Sequence, residues 1–276
     1  MSKKKVLIVT QEMQPYTALS EVAAIARKLP QYIQEKGMEI RVLMPRFGTI
    51  NERRHRLHEV VRLSGMNIIV DDDDFPLIIK VASLPGARMQ VYFLDNEDFF
   101  KRKSVFEDSK GKPFKDNADR MVFFCKGVIE TVKKFGWPPD IVHCHGWMTS
   151  LVPFYLKTAY KNEPLFQNSK VVYSLYESLM DQSFGDQFLE KATINNLEPE
   201  DMKDFTEDGK IALNKGAIMS ADGIINGSVN VSEIDEKAMS GLEVPILEYQ
   251  NEEAYLAAYL EFFNNLMESE VETEAE

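Results

Sequence analysis

Cysteine is scarce in this chain. Cys125 and Cys144 are the two in 276 residues, and their placement matches neither a metal-ligand nor a redox spacing. Two reduced thiols are what a cytoplasmic protein carries, since disulfides persist mainly in oxidising compartments. Long apolar runs are missing as well. No stretch approaches the roughly 20 residues that cross a bilayer, so no membrane is expected as a partner. The first apolar run, Val6-Leu7-Ile8-Val9-Thr10, follows Met1-Ser2-Lys3-Lys4-Lys5 at once and is too short for a signal-peptide core. Positive charge is in deficit: Lys and Arg number 32 against 44 Asp and Glu, a net charge of −12. Five of the glutamates fall in residues 268–276, which hold no Lys or Arg. A nucleic-acid binder would need a basic stripe, so no nucleic acid is expected. The four aspartates at 71–74 lack the mixed ligands and glycine of a calcium loop and read as a turn. Nothing calls for a metal or a cofactor, and no internal repeat is present.

What is present is an α/β pattern. Hydrophobic residues make up 44% of the chain, enough for a sizeable core. The run at Val6–Thr10 reads as a strand buried on both faces. Leu19, Val22, Ala23, Ala26, Leu29 and Ile33 then recur at helical spacing, with Pro30 interrupting the helix or starting a second turn of it and Gly37 as the stop. Glu39–Met44 is a second strand. Strand, loop, helix, strand opens a doubly wound parallel sheet. Residues 46–64 are basic and irregular. Short strands follow near Asn67–Val70 and Leu77–Val81, then Met89–Leu94. The spacing predicts a helix over Asn117–Phe135 and strands at Ile141–His145, Val171–Ser174 and Gly223–Asn226. Residues 176–210 read as a polar insertion, and a helix is expected near Ile211–Ser220. Near the end, Tyr255, Tyr259, Phe262, Phe263 and Leu266 form an aromatic helical stripe.

The segment Ile141-Val142-His143-Cys144-His145-Gly146-Trp147 holds two of the four histidines at the end of a buried strand. Ligands of open α/β sheets bind outside the carboxyl ends of the strands. A histidine there can donate to a phosphate or a sugar hydroxyl. The alternative is that one histidine packs in the core and the other caps the turn.

Several segments together resemble the N-terminal domain of the glycogen and starch synthases, glycosyltransferase family five. Arg41-Val42-Leu43-Met44-Pro45-Arg46-Phe47 is similar to R-V-x-M-P-x-Y. Tyr92-Phe93-Leu94-Asp95-Asn96 with Phe100-Lys101-Arg102 is similar to Y-x-x-D-N and F-x-R. Gly111 with Asp116-Asn117-Ala118-Asp119-Arg120 resembles G-x-x-x-x-D-N-x-x-R. His143 to Pro153 resembles H-x-H-D-W-x-T-x-L-x-P, and Lys215 to Asp222 resembles K-x-x-x-x-x-A-D. The five stand in family order over residues 3 to 245. The resemblance implies one Rossmann-like half of a GT-B glycosyltransferase, in a family that transfers glucose from ADP-glucose to an α-1,4-glucan with retention. It implies a substrate-facing set of Thr17, Glu21, Asp95, Asn96, His145 and Tyr176, with His145 and Glu21 as catalytic candidates.

The departures from the pattern carry as much as the matches. The family's K-x-G-G-L-x-D-V loop is shorter here. Thr17 and Ala18 stand for the glycines, no lysine corresponds, and Glu21 stands for the aspartate. Added Cβ atoms hinder close backbone approach to a phosphate. Gly146 replaces the aspartate after His145, and T-x-H-N reads Ser174-Leu175-Tyr176-Glu177. The residues after Pro245 offer no counterpart of the donor-binding half. The expected organisation is a synthase-like domain at 1–248, a crossover-like helix at 249–267 and a disordered acidic tail at 268–276. Two functions follow. One is a non-catalytic module binding an α-glucan, ADP-glucose, a protein partner or a second copy of itself. The other is an active α-glucan glucosyltransferase, completed by a separate C-terminal half.

Overall fold

The computed structural model describes residues 3–177, 184–185 and 187–273. Part of the expected insertion at 176–210 and the last three residues of the expected tail therefore lie outside the described residues. Twelve strands are present among the described residues: β1 (Lys5–Thr10), β2 (Glu39–Pro45), β3 (His58–Glu59), β4 (Met66–Val70), β5 (Asp73–Ser83), β6 (Gln90–Asp95), β7 (Ile141–His145), β8 (Lys170–Leu175), β9 (Thr206–Glu207), β10 (Lys210–Ile211), β11 (Gly223–Asn226) and β12 (Ile246–Leu247). The main sheet runs β12-β11-β8-β7-β1-β2-β6-β5-β3, with β4 paired to β5 outside that path. From β12 to β6 every pair is parallel. β5 pairs antiparallel with β6, β4 and β3. The sheet is thus mixed and mostly parallel, with an antiparallel edge.

Taken in chain order, the parallel strands follow the doubly wound sequence 3-2-1-4-5-6 and add one more at the β12 edge. The order reverses between β1 and β7, and their carboxyl ends frame the crevice where this architecture binds ligands. β7 and most of β1 are buried end to end, as a strand covered on both faces requires.

The local pattern explains most elements and is overridden at three places. Leu19 does not join the first helix, which spans Val22–Glu35; it is exposed because Glu12 engages the backbone amides of Leu19 and Ser20 and holds the chain in a turn. Pro30 does not interrupt that helix but lies buried inside it. The aspartates at 71–74 are only half turn: Val70 pairs with Asp73 and Ile69 with Asp74, so Asp71 and Asp72 alone make the bend, and Asp71 takes the left-handed conformation at φ 56° that such tight hairpins use. Among the described residues, no helix is long and apolar enough to cross a membrane.

The last helix spans Tyr255–Thr273 and so continues into the segment expected to be a tail. Its aromatic stripe is buried: Tyr255, Tyr259, Phe262, Phe263 and Leu266 all face the body of the protein. The contact is close enough to require glycine in the sheet. A Cβ on Gly223 of β11 would lie 2.9 Å from Leu266 Cδ1 and 3.0 Å from Phe262 Cζ. Truncating a buried phenylalanine costs about 3–5 kcal/mol, and each kcal/mol lowers the melting temperature by roughly 2–4 °C in a domain of this size. Phe263→Ala is therefore expected to melt clearly earlier than the parent chain. Deleting residues 250–276 should also cause aggregation, because it uncovers a contiguous apolar face. Calorimetry and light scattering check both, with deletion of 274–276 as a control that leaves stability unchanged.

Candidate functional site

The two strands that frame the switch point end in polar residues that are already engaged. After β1 the chain continues as Gln11 and Glu12. The Glu12 side chain is fully buried and accepts four hydrogen bonds, from Leu19 N (2.5 Å), Ser20 N (2.9 Å), Ser20 Oγ (2.7 Å) and Gln11 Nε2 (3.5 Å). These amides lead into the first helix, where backbone N–H groups attract anions. An internal carboxylate holds them. After β7, Met148 N donates to Gln11 Oε1 at 3.2 Å. Gly146 sits at φ 85°, and a Cβ there would fall 2.4 Å from Gln11 Cδ. The glycine at this turn is thus demanded both by its backbone angle and by the glutamine packed against it.

Behind this turn lies a buried line of hydrogen bonds. Tyr176 Oη meets His145 Nδ1 at 3.0 Å, His145 Nε2 meets His143 Nδ1 at 3.1 Å, and His143 Nε2 meets Ser174 Oγ at 2.7 Å. Parallel pairing brings them together: His143 and His145 share one face of β7, and the β7–β8 register sets His145 opposite Ser174. Neutral imidazole has one donor and one acceptor, so an all-neutral line runs in one direction. Either Tyr176 donates at one end or Ser174 donates at the other. Burial pushes His145 down to about 3 and holds His143 well below the usual histidine range, with His145 adding to the depression. The last helix closes the line from above, with Phe263 and Tyr259 ring centroids 5.2 and 6.0 Å from that of His143.

The residues expected from sequence to face a substrate divide into two groups. His145 and Tyr176 are bonded to each other, and both are buried. Glu21 is near them: burial raises the Tyr176 hydroxyl and the Glu21 charge adds to that, while the Glu21 carboxylate accepts from Ser228 Oγ at 3.1 Å. Thr17 is in the same loop as Glu21, and its buried Oγ1 has no partner among the described residues. Asp95 and Asn96 are elsewhere. β6 stands three strands from β7, about 14 Å at ordinary strand spacing. Asp95 is paired there with Arg46 and Lys80, both at 2.9 Å. Asn96 caps the short helix Glu97–Phe100 by accepting from Asp98 N and Phe99 N.

A crevice of about 860 Å³ opens beside the histidine line, at the carboxyl ends of β8 and β11. Its walls are Tyr176 and Glu177 on one side, the β9–β10 hairpin on a second, and Val231 to Asp235 on a third. Asn214 stands at its back. It accepts from Tyr173 Oη at 2.8 Å and donates to Tyr176 O at 3.2 Å and Asp235 Oδ2 at 3.3 Å. Burial raises the Asp235 carboxyl, against the pull of its bonds to Ser232 and Asn214. Glu12, Gln11, Asn214 and Asp235 were not picked out as site residues from sequence. The available signals were a lone acid two residues past a buried strand for Glu12, and an aspartate three residues after a capping serine for Asp235.

The comparisons with known proteins agree with this frame. The family model described as "Starch synthase catalytic domain" matches residues 5–244. The chain belongs to that family. It is 42% identical over 173 residues to the glycogen synthase of Pelodictyon phaeoclathratiforme, covering 62% of this chain and 35% of that protein. It is 39% identical over 221 residues to the glycogen synthase of Chlorobaculum tepidum, covering 79% of this chain and 44% of that protein. The chain thus spans less than half the length of these glycogen synthases. Among solved structures, the catalytic domain of Starch Synthase IV from Arabidopsis thaliana, bound to ADP and acarbose, superposes with a TM-score of 0.72 at 19% identity, over 89% of this chain and 52% of that one. The likeness carries the fold, one Rossmann-like half of a GT-B glycosyltransferase.

No group of three or more His, Cys, Asp or Glu side chains is arranged to hold a metal among the described residues of this synthase-family chain. The buried histidines make its stability depend on pH. An unfolded histidine titrates near 6.5, while folded His145 titrates at about 3. Between those values the unfolded chain binds more protons, so stability is full above about pH 6.5 and falls as pH drops toward 3. Melting curves taken from neutral to mildly acidic pH should show this decline, and His145→Asn should flatten it. Equal slopes in both proteins would mean that His145 is not held neutral.

Proposed function

We propose that this chain, by itself, is a non-catalytic member of the starch synthase family that holds an α-glucan at the carboxyl ends of β8 and β11. The observation that carries this reading is the open crevice lined by Tyr176, Asn214 and Asp235 next to a switch point whose polar groups are already engaged. Glucosyl transfer from a sugar nucleotide needs donors aimed at the charge that develops on the leaving diphosphate. Here the amides of Leu19 and Ser20 are held by Glu12, and Thr17-Ala18 stands where the resemblance implies glycines. His145, the catalytic candidate, is buried against Tyr176, and the last helix covers its partner His143. The crevice has the parts that sugar recognition uses: the rings of Tyr176 and Phe184 for the apolar face of a pyranose, and the polar groups of Asn214, Asp235 and Glu177 for its hydroxyls. The Arabidopsis neighbour, solved with ADP and acarbose, makes an oligosaccharide the first ligand to try.

A second reading is a transferase completed by a separately supplied donor-binding half. One observation favours it. Leu19, Val229 and Tyr249 are exposed apolar side chains on loops at the same end of the sheet, where a covering partner would bury them.

Radiolabel transfer from ADP-glucose to glycogen and titration with maltoheptaose followed by amide shifts test both. The purified chain should incorporate no label above a blank. Maltoheptaose should shift residues 175–177, 207–212 and 231–235, and Asp235→Ala should weaken binding about tenfold, the order of one buried hydrogen-bonding group. Incorporation abolished by His145→Ala would overturn the non-catalytic reading. Shifts absent at millimolar sugar would overturn the glucan-binding one. Incorporation that appears only with the second half of a related glycogen synthase would establish the second reading.

A further inference from the structure

The opposite end of the sheet carries a second candidate site that the crevice and the histidine line do not use. A cleft of about 370 Å³ opens where β2 and β6 begin, lined by Gln34, Ile40, Arg41, Ser83, Arg88 and Tyr92 among others. Arg41 is the unusual group there. Its guanidinium carbon lies 4.3 Å from the Phe135 ring centroid and 4.7 Å from that of Trp137. Aromatic rings pack against the flat sides of a guanidinium and do not use its N–H donors. Among the described residues Arg41 has no ion pair. Glu39, two residues earlier on the strand, accepts from Trp137 Nε1 at 2.6 Å. Arg41 is half-buried, and burial disfavours its charged form; Tyr92 and Glu39 oppose that effect and Arg62 adds to it. Arg88 is exposed on the loop between β5 and β6 and lines the same cleft.

The wall that carries Arg88 is fixed to the rest of the fold. Gln34 Nε2 donates to Arg88 O at 3.1 Å, and Arg27 Nη2 donates to Pro85 O at 2.6 Å. Leu84 N and Met89 O close the loop at its base with a bond of 3.0 Å. One wall of the cleft is therefore fixed by bonds within the protein, and both Arg41 and Arg88 line it.

We propose that this cleft binds the phosphoryl group of a small phosphate-bearing molecule, with Arg41 and Arg88 as its ligands. A half-desolvated guanidinium gains most from a bidentate oxyanion. Two arginines match the charge of about −1.5 to −2 of a phosphate near neutral pH better than the single charge of a carboxylate. The size of the cleft and the net charge of −12 set aside a nucleic acid backbone as the source. The site is independent of the glucan crevice and does not rest on it.

The experiment is titration of the full chain with inorganic phosphate and, separately, with glycerol phosphate. Amide and arginine Nε–Hε shifts are read near neutral pH, with sodium chloride at matched ionic strength as the reference. The expected result is saturable shifts at Arg41, Gln34 and residues 83–92 with at least one of the two phosphates. Binding should weaken on the order of tenfold in Arg88→Gln, a surface change that leaves the fold intact. Arg41→Lys, which keeps the charge and loses the fork, should weaken it as well. Saturation with inorganic phosphate alone assigns the site to free phosphate, and saturation with glycerol phosphate assigns it to a phosphoester; both support the site. Shifts reproduced by chloride, binding unchanged in Arg88→Gln, or no shifts with millimolar amounts of either phosphate would overturn it.

Discussion

The buried line from Tyr176 through His145 and His143 to Ser174 is the constraint on which the rest of this structure hangs. Each of its polar groups is removed from water, and an unsatisfied group of that kind costs about 1–3 kcal/mol. The line is complete only with the β7–β8 register that sets His145 opposite Ser174 and with Tyr176 directly after β8. It stays dry only under Phe263 and Tyr259 of the last helix. Sheet register, chain direction after β8 and docking of the last helix thus satisfy one requirement together. Tyr176 also lines the crevice, so the core network shares a residue with one wall of the candidate site.

The loop after β1 is a second expression of the same principle. The N-terminus of a helix beside a parallel strand offers free amides, and in dinucleotide-binding folds a ligand phosphate takes them. Here Glu12 takes those of Leu19 and Ser20. Its carboxylate stands where a ligand anion would, so those amides are bonded without a ligand. Gln11 does the equivalent for the turn after β7 by accepting from Met148 N. The open polar crevice lies beside this switch point, where Asn214 and Asp235 are found.

Periodicity and apolar runs made most of the sheet legible before any coordinates. The helix Asn117–Phe135 and the strand Gly223–Asn226 coincide with the elements expected from their patterns, because each is dictated by local burial. The family was legible too, since its motifs lie on those elements. What stayed hidden depends on contacts between distant segments. Asp95 follows a strand, as a ligand-facing residue should, yet Arg46 and Lys80 reach it from neighbouring strands. His145 reads as a ligand-facing residue until a helix more than a hundred residues later covers its partner His143. Leu19 fits a helical stripe, and only Glu12 removes it. Arg41 was visible as a motif residue, but the ring pair of Phe135 and Trp137 beside its guanidinium is a tertiary fact.

The account turns on whether His145 is sealed inside the native protein. Diethyl pyrocarbonate carbethoxylates accessible neutral imidazoles, and this chain supplies its own internal reference in His58, which is exposed. Peptide mapping after brief treatment of the native full chain should find His58 modified, with His143 and His145 intact until the chain is unfolded. Modification of His145 at a rate comparable to His58 would show an open switch point and contradict the account.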